Sequence, residues 1–363
     1  MNPLPVAAHT AQRLEFAFHG VRAAVTSDDA ECLRRVEADF ALFLDPGAPA
    51  GELPDGAVGA AGLMPTIEVR LTVSAPPYER IPPDARRLLR TKDATVYRAG
   101  HVRFYDSGRL ALVAYDMRAG HADVWSLDRD LLQEKCYLLV MTRVGDALDR
   151  RGLHRIHAMG MVYQGRALLC VLPSGGGKTT LAMALLEREG FRLLSEEVPL
   201  VCRRGRLHPF PVRLSVVQGT PLTVPDRFLQ PFRRSRHGPK VLIDSRHYAD
   251  RIAGDAAPGI ICIGRRVGAG EAGLVKRSRF AGLAALLGSC VAGRGVPQLL
   301  EYLLHLDLGD VMRHAPVLWS RLRAAAALAR RSTAYELRLG PDSEGNASLI
   351  ATLLTGSAVR SSP

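Results

Sequence analysis

At 363 residues the chain is longer than one average domain, and a hydrophobic content of 47% excludes a disordered or low-complexity protein. Forty-eight basic residues against 36 acidic ones give a net charge of +12, which either favours anionic partners or reflects a generally Arg-rich composition. Aromatic residues, at 6%, are too sparse to offer a base-stacking platform, which argues against nucleic acid.

Almost all the positive charge is arginine. Lysine occurs only at Lys92, Lys135, Lys178, Lys240 and Lys276, so Lys178 directly after three glycines stands out. The six cysteines lie scattered, mostly in apolar runs such as Leu168-Leu169-Cys170-Val171, and read as buried thiols. No CxxC pair or Cys/His cluster suggests structural zinc. Met1 to Thr10 lacks the charged start and apolar stretch of a signal peptide, and no apolar run reaches membrane-spanning length. A cytoplasmic protein without a transmembrane helix is the expectation.

In chain order, Arg13 to Val25 alternates as a strand pair, and Ser27 is expected to cap a helix carrying Cys32, Val36 and Phe40 on one face. An Ala/Gly/Pro-rich loop follows from Asp45 to Gly62. Short alternating segments (67–73, 95–98, 101–105, 110–115 and 123–127) predict a small, mostly antiparallel sheet. Met1 to Leu127 is thus expected to be an α+β N-terminal domain. From Asp128 the pattern becomes that of a long amphipathic helix ending near Arg151-Gly152, taken as the start of a second domain, 128–363.

The second domain continues with an unbroken apolar strand from Ala167 to Leu172, a glycine loop and a helix from Lys178 to Glu189. Strands follow at Phe191 to Ser195 and Val198 to Cys202. Strand, helix and apolar strand predict a βαβ unit on a parallel sheet covered on both faces. Further on, Arg203 to Arg206 reads as a hairpin tip, Gly219 to Lys240 as a long loop, and Val241 to Asp244 and Ile260 to Ile263 as strands. Helical runs are expected over 283–291, 296–306 and 318–329, with a strand from Tyr335 to Leu339 and a frayed tail after Thr355.

Ser174-Gly175-Gly176-Gly177-Lys178-Thr179-Thr180 has the composition of a phosphate-binding loop. Glycines let several backbone N–H groups face one anion, the lysine reaches the β and γ phosphates, and the Thr179 hydroxyl is placed for Mg²⁺. The loop opens a helix, so its first-turn N–H groups and dipole also face the anion. Gly-Lys-Thr alone is a weak string; the buried strand before it and the amphipathic helix after it make it specific. The first glycine of the usual pattern is replaced by Leu172, and a plain glycine-rich structural loop is the competing reading.

Glu196-Glu197 ends the next strand, expected to lie beside the one that delivers the loop. Two carboxylates next to a nucleotide can hold Mg²⁺ or accept the proton of an attacking hydroxyl; otherwise they are an exposed acidic turn. His157 precedes the loop strand, but a lone histidine is usually packing, and His154 nearby weakens a functional claim.

His157, a hairpin turning at Gly165, an apolar strand, a Ser-Gly-rich-Lys-Thr loop, a helix, and a strand ending in two acids resemble, in that order, HPr kinase/phosphorylase and its relatives. The likeness covers His154 to Cys202 well and the rest of the C-terminal domain weakly. It implies an α/β P-loop kinase domain of the HPr kinase/PEP carboxykinase-like type, preceded by a smaller α+β N-terminal domain, with ATP and Mg²⁺ as cofactors. It also implies Glu196 as base on a substrate serine, His157 as its electrostatic helper, Thr179 as metal ligand and Glu197 near the metal. The pair is Glu-Glu where that family usually has Asp-Asp, which leaves the division of labour open. Pro209 to Leu214 looks like the segment after the family's hairpin and makes Arg213 a γ-phosphate contact, with an edge-strand surface arginine as the alternative.

The regulator's own substrate-docking sequence is not matched, which argues against HPr as acceptor. Related stand-alone kinases phosphorylate a serine of peptide natural-product precursors, including lasso peptides. The resemblance therefore implies a serine kinase acting on a peptide or small protein, self-associating as the family does. The alternative is a nucleotide-gated binding or regulatory protein without phosphotransfer; the basic stretch Arg233-Arg234-Ser235-Arg236-His237 would serve either.

Overall fold

The computed structural model describes residues 11–44, 66–92, 94–173, 175–233, 238–292 and 308–355. The expected loop over 45–62, the helix over 296–306 and the tail after Thr355 lie outside the described residues, as does most of the basic stretch after Arg233.

The N-terminal half forms one sheet from β1 (Gln12–Phe18), β2 (Val21–Ser27), β3 (Ile67–Val73), β4 (Arg86–Arg90), β5 (Thr95–Ala99), β6 (Val102–Asp106), β7 (Ala111–Asp116) and β8 (His121–Ser126). Its order is β1-β2-β3-β8-β7-β6-β5-β4, antiparallel except at β2–β3 and β3–β8. His19 and Gly20, both at positive φ, make the two-residue turn between β1 and β2, the backbone such a hairpin needs. β4 was not expected from sequence: Arg86-Arg87-Leu88-Leu89-Arg90 is a charged, exposed edge strand, and charge on an edge deters pairing with other chains while hiding the alternation.

Helix α1 (Ala30–Asp39) follows β2, but its cap is Asp29 rather than Ser27. The Asp29 side chain accepts from the Cys32 backbone N–H at 2.8 Å, whereas Ser27 accepts from Asp29 N at 3.1 Å and donates to Leu71 O at 2.9 Å. Ser27 is still in the strand, short of Asp29 and too early to reach the free N–H groups of the helix.

Helix α2 (Arg129–Arg150) packs against β2, β3 and β8. Leu131, Leu132, Cys136, Tyr137, Leu139, Val140, Met141 and Val144 are all buried, a face too wide for one neighbour to cover. The remainder is covered by β9 (Leu153–Arg155), and the core around Phe16, Phe18 and Phe40 runs without interruption into Leu200, Phe210 and Val212.

The rest of the chain contributes β10 (Met159–Tyr163), β11 (Arg166–Val171), α3 (Lys178–Leu186), β12 (Phe191–Ser195), β13 (Leu200–Cys202), β14 (Leu207–His208), β15 (Leu214–Val217), β16 (Leu229–Phe232), β17 (Lys240–Ile243), β18 (Ala257–Arg266), β19 (Gly273–Arg277), α4 (Arg279–Leu286), α5 (Leu308–Arg330), β20 (Thr333–Leu339) and α6 (Ser343–Thr355). Six strands make a mixed sheet in the order β12-β10-β11-β18-β20-β19; small sheets β14-β13-β9 and β15-β17-β16 stand beside it. The β11, β18 and β20 strands are mutually parallel.

Two expectations change here. The loop-delivering strand β11 and the acid-bearing strand β12 are not neighbours, because β10 lies between them, antiparallel to both. The tight turn at Gln164-Gly165 closes the β10–β11 hairpin at little entropic cost, so that edge of β11 is taken before β12 arrives. The segment 198–202 leaves the sheet altogether and pairs with β9 and β14. Both faces of the sheet are nevertheless covered. Leu168 and Cys170 of β11 pack with α3 and α6, while Ala167 and Leu169 pack with α4 and α5, which explains the unbroken apolar run. Within the expected loop 219–240 the chain forms β16, whose Phe232 is buried. No helix among the described residues is long and apolar enough to cross a membrane.

Candidate functional site

Strand β11 ends at Val171 and hands the chain to Leu172-Pro173 and then to the glycine loop; Ser174 lies outside the described residues. Gly176 N donates to Pro173 O at 3.0 Å, so the loop folds back on itself, and a Cβ on Gly176 would stand 2.9 Å from that carbonyl oxygen. Gly177 takes φ +93° at the N-cap of α3, where no side chain accepts from the first turn. Among the described residues the helix therefore starts with backbone donors free for an anion. Leu172 stands where the first glycine of the usual pattern falls. It fits because Gly264 of β18 faces it: a Cβ there would collide with the Leu172 side chain. Gly175 and Thr180 are exposed, while Lys178 is buried, not exposed as a loop lysine would be.

Lys178 Nζ donates to Leu172 O at 2.9 Å and Pro173 O at 3.3 Å, and lies 3.2 Å from His157 Nε2. An ammonium has only donors, so Nε2 of His157 is the acceptor and the ring hydrogen sits on Nδ1. That buried Nδ1 has no partner among the described residues. Burial, and then the Lys178 charge, push His157 down to about 4, so the ring is neutral near pH 7. Burial also lowers the pKa of Lys178, against the pull of Glu196 and Glu197. His157 thus acts on the loop through Lys178. Its backbone N–H donates to Ser289 O at 3.1 Å and fixes the residue in place.

Glu196 is buried at the end of β12 and accepts from Thr179 Oγ1 at 2.6 Å; the same hydroxyl is 3.0 Å from Ser215 O. Burial, and then the neighbouring Glu197, push Glu196 up to about 7, while Thr179, Lys178 and Lys240 pull it down. A carboxyl held near neutrality can release and take up a proton at physiological pH, which is what a general base requires. Glu197 is only half-buried, and its charge also raises the pKa of Arg213.

No protein-family model and no curated protein matches this chain.

The geometry therefore carries the functional reading. It gathers His157, Lys178, Thr179, Glu196 and Glu197 around the loop, and Arg213 departs from that group. The Arg213 guanidinium is mostly covered, donates to Asp39 Oδ1 at the end of α1, and lies over the rings of Tyr137 (4.1 Å) and Phe232 (5.2 Å). Burial works against the cation, but Asp39 raises its pKa; burial likewise pushes Asp39 up to about 6 despite the arginine. Asp39 also accepts from Gln133 at 2.8 Å, so this cluster ties α1 and α2 to β15.

Sequence reasoning missed Lys240 and Ser215. Lys240 Nζ donates to the Ser215 hydroxyl at 3.1 Å and adds a second cation to the Glu196 environment. The scarcity of lysine, already used to single out Lys178, was a signal that applied to Lys240 as well.

Among the described residues no group of three or more His, Cys, Asp or Glu side chains is disposed to hold a metal ion. Thr179 Oγ1 and Glu196 Oε1, 2.6 Å apart, are instead two hard oxygen donors. That set suits Mg²⁺, which takes few protein ligands and fills its octahedron with water and phosphate oxygens.

Proposed function

We propose that the chain is an ATP-dependent serine kinase, with an α/β kinase domain of the HPr kinase-like type, acting on a peptide or small protein such as a natural-product precursor. The observation that supports it most is the buried Glu196 carboxyl, held near neutral pKa, hydrogen-bonded at 2.6 Å to the hydroxyl that follows Lys178 in a glycine loop. In this reading Lys178 exchanges its contacts with the Leu172 and Pro173 carbonyls for the β and γ phosphates, joined by the N–H groups that start α3. Neutral His157 holds the ammonium from behind without adding repulsion. Mg²⁺, held by Thr179 with Glu197, would neutralise phosphate charge. Glu196 accepts the proton of the substrate serine, the serine oxygen bonds to the γ phosphorus, and ADP leaves with the electrons of the broken bond.

The test is Lys178→Ala in titration calorimetry with Mg-ATP and in transfer of labelled γ-phosphate to serine peptides. Both binding and transfer are expected to vanish while thermal unfolding stays cooperative. Unchanged ATP affinity would sink the phosphate-loop assignment. Wild-type binding without transfer to any peptide, or to the chain itself, would favour a nucleotide-gated binder.

A further inference from the structure

A second polar cluster lies away from the glycine loop, between the end of α2, β9 and α5. His154 Nδ1 is 2.7 Å from Asp149 Oδ1, and His154 Nε2 is 2.8 Å from Ser320 Oγ. Arg203, in the turn between β13 and β14, donates from Nε to the same Ser320 oxygen at 2.9 Å. Asp149 is held further by Arg321, whose Nε donates to Oδ1 at 3.1 Å. His154, Asp149 and Ser320 are all buried.

The polarity of this chain of hydrogen bonds is set at both ends. Arg203 can only donate, so Ser320 Oγ accepts from it and is left with its own hydrogen. The Asp149 carboxylate can only accept, so Nδ1 of His154 carries a ring hydrogen. With the imidazole in its Nδ1–H tautomer the hydrogen bonds run from Arg203 to Ser320 to His154 to Asp149, with the serine hydrogen aimed at Nε2. That is the tautomer and direction a nucleophilic serine needs. A tie that merely held three elements together would not need an opening, yet this one has it. Asp146, Asp149, Arg150, Arg203, Pro316, Val317 and Ser320 line a cavity of about 190 Å³. That volume admits a short acyl group beside Pro316 and Val317.

We propose that Ser320, His154 and Asp149 form a second, acyl-transferring centre that hydrolyses small carboxylic esters. Ser320 Oγ bonds to the carbonyl carbon while its proton passes to His154 Nε2 and the carbonyl electron pair moves onto oxygen. Arg203, which lines the same cavity, supplies the positive charge that would offset this oxyanion. Collapse breaks the bond to the alcohol, which takes the proton from His154; water then attacks the acyl-serine with His154 again as base. Ester and water become acid and alcohol, and Ser320 is restored. Asp149 is a positioning residue that holds the imidazole in its tautomer.

The experiment treats the full chain with an alkyl fluorophosphonate and locates the adduct by peptide mass spectrometry, with p-nitrophenyl acetate hydrolysis measured in parallel. A single adduct on Ser320 in the wild type, and hydrolysis by Ser320→Ala falling to the rate of heat-denatured protein with an unchanged circular-dichroism spectrum, are the expected results. No adduct on Ser320, or an adduct elsewhere with Ser320→Ala still hydrolysing at the wild-type rate, would overturn the proposal. The wild-type adduct decides the matter even if the variant fails to fold, and neither readout depends on ATP.

Discussion

The two large sheets are built on opposite plans. From β4 to β8 the N-terminal sheet pairs strands consecutive in the chain, whereas the six-stranded sheet joins β11 to β18, from Arg166 to Ala257, and β18 to β20. Consecutive pairing closes short loops and buries a core, but it brings together residues that were already near each other. Distant pairing costs more loop entropy and collects side chains from far apart. His157, Lys178, Thr179, Ser215, Glu196 and Lys240 meet at one end of the second sheet and its neighbours. The N-terminal half reaches toward that end through helices rather than strands, with Asp39 of α1 paired to Arg213 and Gln133 of α2 accepting from Gln230.

The sharpest separation of the two plans comes from Glu196→Gln, which keeps shape and the Thr179 hydrogen bond but removes the base. Phosphate transfer should fall by roughly 10²- to 10⁴-fold with ATP affinity nearly unchanged. Wild-type transfer should rise with pH through about 7, where Glu196 loses its proton, and that limb should disappear in the variant. A larger loss in Glu197→Gln would exchange the roles of the two carboxylates. The raised pKa also carries a stability signature. A buried carboxyl titrating above its unfolded value contributes stability that is complete below about 4.5 and is lost as pH rises through about 7. At pH 8 the glutamine variant should therefore be the more stable of the two in urea denaturation.

Arg213→Ala should act at the join between the two halves. Leaving Asp39 buried without its cation costs about 3–5 kcal/mol in urea denaturation. A loss below 1 kcal/mol combined with abolished transfer would return Arg213 to the phosphates. The smallest effect is expected in the first sheet's own territory. Asp29→Ala removes the α1 cap, costs about 1 kcal/mol, and leaves ATP affinity as it was. Weakened ATP binding in that variant would show that the N-terminal half does more than support the site.

What could be read from the sequence follows the same division. The hairpin at His19-Gly20, helix α2, and the strand, loop and helix around Lys178 are local patterns, and each was expected within a few residues of where it lies. The edge strands β4 and β19 were hidden because their arginines and lysine face water and break the apolar alternation. The hairpin at Gly165 was read, but not that β10 also pairs with β12 and so separates it from β11, because nothing local to Phe191–Ser195 names its neighbour. Arg213 was taken for a surface group or a phosphate contact because its partner stands 174 residues earlier, and nothing in Pro209 to Leu214 points to Asp39. Thr179 and Glu196 were singled out from a motif and a strand end, but their direct hydrogen bond belongs to the folded chain.

The uninterrupted core from Phe16 through α2 to Leu200, Phe210 and Val212 has a thermodynamic consequence. Two halves that share packed side chains cannot melt one after the other, because unfolding either would strip the cover from the other. Calorimetry should record one endotherm whose van't Hoff and calorimetric enthalpies agree, despite a length at which separate transitions are common. Any ligand that stabilises the loop at Lys178 would then raise the melting temperature of strands as distant as β5 by the same amount, since both report on one cooperative unit.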